Sequence, residues 1–476
     1  MAQLTLGLEG LTYPELATLD GLQRVDQAFL THLATSAPEL HDTLIAYREG
    51  RSALSTADSS EMLIACAEVL EDFIAGLFGI RREMIALQLS TLSHDPVLGF
   101  KKLYVQRRAR RRLMKKDVDE TFEQLDAWVS KELHDAKLPL SDRELAVARL
   151  GQSWLEQADL HEQDIELLTR WCIRALTTPE GQAATAGWVA FRLPAPVDHA
   201  ALVRAEPLAG DTCGRVVLPL TQRRRREGFD LTDPRMSQRA VQAEVDYCIY
   251  CHDHDGDFCS KGFPVKKGEP DKGIKIDPLG VELVGCPLDE KISEMHRLKR
   301  DGHTLGALAM IMIDNPMCPA TGHRICNDCM KACIYQKQDA VNIPQIETGV
   351  LVDVLNLPWG VEIYDLLTRW NPLRKTQYLP KPYNGLKVLV AGMGPAGFTL
   401  AHHLTMEGFG VVGIDGLKIE PLPFELIEQP IHDYASITEK LDARVLAGFG
   451  GVAEYGITVR WDKNFLKLLY LTLLRR

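Results

Sequence analysis

The chain has 476 residues, 46% hydrophobic and 25% charged, an ordinary globular composition with length for roughly three domains of about 150 residues each. Its net charge of -11 excludes a general nucleic-acid binder, which needs a cationic surface to displace counterions from phosphates. No run reaches the roughly 18 to 20 apolar residues of a membrane span, and the N-terminus lacks the basic-then-apolar order of a secretory signal, so the chain reads as cytoplasmic.

From about residue 15 to residue 190 apolar residues recur three and four apart, as in the segment from Glu61 to Ile80 and in that from Glu144 onward, which predicts helices. Pro38, Pro96 and Pro139 punctuate them, and Ser141 with Glu144 reads as a capping box opening the next helix. Two basic runs, Arg107 to Lys116 and Arg223 to Arg226, read as solvated or partner-docking faces. Residues 193–245 carry five prolines (Pro194, Pro196, Pro207, Pro219, Pro234), which predicts a connector.

Eight of the eleven cysteines fall between Cys248 and Cys333. The order is Cys248-x2-Cys251-x7-Cys259, then Cys286-Pro287, then Cys318-Pro319-x6-Cys326-x2-Cys329-x3-Cys333. A CxxC pair presents two soft thiolates to one metal, and four such ligands suit tetrahedral zinc or one iron–sulfur cubane. The closing x2 and x3 spacing is ferredoxin-like, and eight thiolates suffice for two cubanes. With the two Cys–Pro pairs, this predicts iron–sulfur clusters, zinc being the alternative. His252, Asp253, His254 and Asp255 read as a solvated loop between Cys251 and Cys259, and Cys66 and Cys172 as small core residues.

After a proline-bearing linker, Lys387 to Ala391 reads as a buried strand ending in Gly392-x-Gly394-x-x-Gly397, with a helix directly after. The first glycine permits the turn, the second lets backbone approach a pyrophosphate, and the third lets helix pack on strand. The helix N-terminus adds oriented N–H groups for the phosphates. A second strand ends in Asp415, 18 residues after Gly397, where a ribose-binding acid belongs. Gly394-Pro395-Ala396-Gly397 is the variant associated with FAD more than NAD. His402 and His403 read as packing or surface residues of that helix. The apolar segment from Phe465 is too short to span a membrane.

These two blocks, in this order, resemble the iron–sulfur flavoproteins of the glutamate synthase small subunit and dihydropyrimidine dehydrogenase type, over about residues 240 to 415. Cys248 and Cys251 match the family's opening CxxC, and Cys286-Pro287 its Cys–Pro. Gly322-His-Arg-Ile-Cys326 is similar to its Gly-Arg-Val-Cys stretch, and Cys329-x3-Cys333 matches its close. The resemblance implies a helical domain with two [4Fe-4S] clusters before an FAD domain. Cys248, Cys251, Cys259 and Cys333 would hold one cluster. Cys286, Cys326, Cys329 and either Glu347 or Cys318 would hold the other. The sequence departs from the family in the long gap between Cys259 and Cys286, in Cys318, which has no counterpart, and in lacking a Gly-Gly after Asp415.

The expected fold is therefore multidomain α plus α/β. It comprises a helical region of unassigned role (1–192), a connector (193–245), an α-helical two-cluster iron–sulfur domain (246–370) and the start of a Rossmann-like FAD-binding domain (384–476). No second GxGxxG precedes Arg476, so NAD(P)H is expected to bind sequence outside this chain. The expected activity is FAD-dependent NAD(P)H oxidoreduction, passing electrons to or from a partner subunit or domain, with no catalytic side chain of the protein's own. A zinc-stabilised nucleotide-binding interaction module and an NAD-dependent oxidoreductase with an accessory cysteine domain are the alternatives.

Overall fold

The computed structural model describes residues 4–113, 118–203, 205–218, 234–254, 256–266, 268–321, 326–416, 421–439 and 464–475. They are predominantly helical, with two small sheets. Glu206–Pro207 runs antiparallel to Val216–Val217, and Lys387–Ala391 runs parallel to Gly410–Ile414. Two compact units form. One comprises Met1–Gln88, Pro196–Ser237 and Tyr247–Arg476; the other comprises Leu89–Ala195 and Gln238–Asp246.

The larger unit is built around the helix Thr304–Asp314, whose residues from Thr304 to Met312 are all buried. A helix apolar on every side belongs inside a core. Helix Thr56–Phe78 packs on it through a buried face that includes Leu63, Ala67, Leu70 and Ile74. Ser55 caps that helix by accepting the Asp58 N–H at 3.1 Å, and Gly79 ends it in the left-handed region at φ +67, a conformation that favours glycine. Gly306 is where the two helices touch most closely, since a Cβ there would lie 2.9 Å from the Ala67 carbonyl oxygen. A second tie joins the chain's beginning to residues near 370. Asp26 accepts from both terminal nitrogens of Arg48, at 3.1 and 3.2 Å, and from the Trp370 indole at 2.9 Å.

The smaller unit has its own core, rich in aromatics: Phe100, Tyr104, Phe122, Trp154 and Trp171 are buried together. Lys101–Ala109 winds as a π-helix, leaving Lys102, Arg107 and Arg108 exposed, while Arg112, just beyond it, bonds Glu166. Met114 to Lys116 of this basic run, and all of the Arg223 run, lie outside the described residues. The cap near residue 141 differs from the expected box by one position. Asp142, not Ser141, accepts the Leu145 N–H at 3.1 Å. Glu144 cannot reach back to a cap because it is buried, accepting from the Ala190 N–H at 2.8 Å and from Arg239 at 2.9 Å. Tertiary packing outweighs the local motif there.

Among the described residues no helix is long and apolar enough to cross a membrane; the Phe465 segment forms the helix Asn464–Leu474, with Phe465, Leu466, Leu468 and Leu469 buried.

Candidate cofactor sites

Four thiols from separate chain positions meet at one cavity. Cys248 follows the helix Gln238–Tyr247, Cys251 opens the turn Cys251–His254, Cys259 lies in the short helix Phe258–Lys261, and Cys333 follows Asp328–Ala332. Tyr250 adopts φ +53, which bends the chain sharply between the first two. All four line a cavity closed by Ile249, Ile334, Val341 and Ile343, with Tyr335, Ser293 and His296. Burial pushes the Cys248 thiol up to about 12, and Cys251 and Cys333 add to the shift. Burial, followed by Cys333 and Asp257, pushes Cys251 up to about 11. Cys259 is held well above the usual range by burial and by Asp257, Cys248, Cys333 and Cys251. Thiols raised in this way stay protonated near pH 7, and a cation bound among them would favour the thiolate.

The 26 residues between Cys259 and Cys286 form an excursion that returns to its start. Phe263 donates its N–H to the Leu283 carbonyl at 2.8 Å, Leu283 to the Lys275 carbonyl at 2.9 Å, and Cys286 to the Cys259 carbonyl at 2.9 Å. Gly262 and Gly285, both at positive φ, form the pinch; a Cβ on Gly285 would lie 2.4 Å from the Gly262 nitrogen. The long sequence gap is thereby a short distance in space.

Around Cys286 a second set assembles. Burial, then Glu290 and Cys326, pushes Cys286 up to about 11. Burial raises Cys329 well above its usual value, with Glu347, Cys286, Glu290 and Cys326 contributing. Glu347, on the helix Ile343–Leu355, is raised by burial and by Cys286 and Cys326, against a hydrogen bond with Glu290 that lowers it. Cys318 is buried, and burial raises its thiol well above the usual value, with Glu347 and Glu290 adding to the shift. Glu347 and Glu290 thus lie within electrostatic reach of both Cys318 and Cys329. Gly322 to Ile325 lie outside the described residues.

His252 is not in a solvated loop. Its side chain is 2% exposed, with Nδ1 against the Ser293 hydroxyl. Its Nε2 faces Asp253 at 3.1 Å and Glu61 at 3.8 Å, a His/Asp/Glu triad that could chelate a metal. His254 is exposed, and Asp255 lies outside the described residues.

The glycine turn joins the strand Lys387–Ala391 to the helix Pro395–Met406. Gly392 sits at φ +103, and a Cβ on Gly397 would lie 1.9 Å from the Gly392 carbonyl oxygen, so both positions require glycine. Nothing crowds Gly394, the residue that precedes Pro395 and Ala396 at the helix entrance. Asp415 leaves the second strand and its carboxylate accepts the Met393 N–H at 2.8 Å, which ties the acid to the glycine turn. His402 is buried and His403 exposed. Leu389, Val412 and Ile414 are exposed on the two strands.

Sequence reasoning missed Glu290, Ser293 and His296. Ser293 and His296 sit three apart on the helix Ile292–Arg300, polar residues on a face shared with buried Ile292 and Met295. That interruption of an apolar stripe was the available signal.

Residues 6–79 match a family model described as the RP005 N-terminal alpha-helical domain. The chain is 57% identical over 159 residues to the uncharacterized protein RP006 of Rickettsia prowazekii (strain Madrid E), covering 33% of this chain and 22% of that protein. It is 26% identical over 293 residues to the uncharacterized protein RP005 of the same organism, covering 59% of this chain and 94% of that one. It is also 30% identical over 128 residues to the glutamate synthase [NADPH] small chain of Mycobacterium tuberculosis, covering 27% of this chain and 23% of that protein. The chain thus spans under a quarter of the length of RP006 and of the small chain. The last similarity is a distant link to an oxidoreductase family.

Proposed function

We propose that this chain is an electron-transfer module holding two [4Fe-4S] clusters, in a domain over 246–370, attached to the beginning of an FAD-binding domain over 384–476. The observation that carries the reading is the convergence of Cys248, Cys251, Cys259 and Cys333 on one cavity. Zinc bonded at about 2.3 Å holds tetrahedral sulfurs about 3.8 Å apart. Among the described residues no three cysteine sulfurs lie within 4.8 Å of one another, a spread that favours a larger polynuclear centre.

When bound, the clusters supply one-electron relay and the flavin exchanges electrons singly or in pairs. The chain's residues supply the setting. The four thiols would hold one cluster beside Ile249, Ile334, Val341 and Ile343, of which Val341 and Ile343 are buried. Cys286, Cys326 and Cys329 would hold the other, completed by Glu347, whose carboxyl is affected by Cys286 and Cys326, or by Cys318. The backbone at Gly392, Gly394 and Gly397 and the N-terminal turn of Pro395–Met406 would face the FAD pyrophosphate, with Asp415 near its ribose. Pyridine nucleotide would bind elsewhere, and the exposed Leu389, Val412 and Ile414 offer a face for a partner subunit or domain.

The test is anaerobic purification with metal and cofactor analysis. About eight iron atoms per chain and a broad visible absorbance support the reading. Stoichiometric zinc without iron rejects it in favour of a zinc-stabilised module. Released FAD, as against NAD, decides the dinucleotide.

A further inference from the structure

His296 lies in the helix Ile292–Arg300, is 1% exposed, and lines the same cavity as Cys248, Cys251, Cys259 and Cys333. Neither ring nitrogen has a hydrogen-bond partner among the described residues. An imidazole carries at least one N–H donor in either protonation state. Leaving such a donor unsatisfied in a buried site is costly, and native proteins keep few of them.

The side chains lining the cavity with it offer three kinds of polar atom: the Ser293 hydroxyl, engaged with His252, the Tyr335 phenol, and the sulfurs of the four thiols with whatever they bind. Neither hydroxyl pairs with His296, which leaves the sulfurs as the partner to test.

We propose that His296 donates a hydrogen bond from its ring to a sulfur of the cluster held by Cys248, Cys251, Cys259 and Cys333, and so raises that cluster's reduction potential. The inference rests on the cluster reading above. Reduction adds negative charge that spreads onto the sulfurs, and a donor aimed at them stabilises the reduced form more than the oxidised one. Backbone N–H groups already face these sulfurs, as Tyr250 does toward Cys248 Sγ at 3.4 Å, and His296 adds a side-chain donor to them. His296 is thus a tuning residue and not a ligand.

The experiment compares wild type with His296→Leu, which removes the donor, and His296→Asn, which restores an N–H. Each is purified anaerobically as the full chain, assayed for iron and sulfide, and titrated potentiometrically under EPR. All three are expected to hold equal iron. One of the two clusters in His296→Leu should titrate at a more negative midpoint, the other should not move, and His296→Asn should return the first toward wild type. Unchanged midpoints in a fully loaded His296→Leu overturn the proposal, as does loss of about half its iron, which would make His296 a ligand. Should His296→Leu fail to fold, pulsed EPR of wild type labelled with 15N-histidine decides. A weak histidine coupling is expected; none, or the strong coupling of direct ligation, overturns the inference. A wild-type chain without iron defeats the cluster reading itself, before any variant is compared.

Discussion

Cys286 donates its backbone N–H to the carbonyl of Cys259 at 2.9 Å, although 26 residues separate them in the chain. The intervening segment hydrogen-bonds to itself and leaves and returns through the same glycine pinch. Its closure therefore belongs to the architecture of the cysteine sites, while its far end does not. Removing Phe263 to Val284 and joining Gly262 to Gly285 should leave iron stoichiometry and the visible spectrum unchanged. Loss of iron in the shortened chain would show that the excursion takes part in a site.

The fourth ligand of the second set can be decided by substitution. With Glu347, whose carboxyl is affected by Cys286 and Cys326, as the expected ligand, Cys318→Ala should retain full iron. Glu347→Ala should lose about half, the share of one of two cubanes, and Glu347→Gln, which keeps a ligating oxygen, should retain most of it. Metal analysis of the three variants reads the answer directly. Iron lost from Cys318→Ala and kept in Glu347→Ala would reverse the assignment.

Glu71 closes the N-terminus of the central helix. Its Oε2 accepts the N–H groups of Leu305 at 2.9 Å and Gly306 at 3.1 Å, and its Oε1 lies 3.2 Å from the His303 ring. A carboxylate at this position satisfies two orphan donors and complements the helix dipole. Glu71→Ala should cost roughly 2–4 kcal/mol, since hydrogen bonds to a charged group contribute about 1.5–3 kcal/mol each and do not add fully. Urea denaturation monitored by circular dichroism measures it.

The same contact sets a pH dependence. The hydrogen bond to Glu71 raises the His303 pKa above its ordinary 6.5. The folded state therefore binds the proton more tightly than the unfolded chain. The resulting stabilisation is fully present below about pH 6.5 and is lost as pH rises through the higher folded-state value. The stability gap between wild type and His303→Gln should accordingly be larger near pH 6 than near pH 9; a gap that does not change between them would show that folding leaves the His303 pKa unshifted.

The glycine turn separates folding from binding. A Cβ at Gly397 collides with the Gly392 carbonyl, so Gly397→Ala should unfold or distort the strand–helix unit. Nothing lies within 4 Å of a Cβ at Gly394, so Gly394→Ala should keep the apo fold and lose flavin. Flavin fluorescence after denaturation, set beside thermal melting, distinguishes the two. Undiminished flavin in Gly394→Ala would remove that backbone from the pyrophosphate site.

What could be read along the chain was whatever depends on near neighbours. The CxxC pair at Cys248 and Cys251, the spacing of Gly392, Gly394 and Gly397, the arrival of Asp415 and the helical period around Leu63 and Leu70 are all written within a few residues, where backbone preference and side-chain spacing act. Even at that range packing intervened, since the cap at residue 141 moved to Asp142 once Glu144 was drawn to Ala190 and Arg239. Only the folded chain decided which distant groups share a site. Cys333 joins Cys248, Cys251 and Cys259, and the buried Glu347 and Glu290 come within electrostatic reach of Cys286 and Cys329. His296 turns an unpaired ring toward the first thiol set, and the chain's first helices cover the helix from Thr304. Those meetings depend on loop closure and on which buried surfaces fill one another, and neither leaves a mark at any fixed spacing in the sequence.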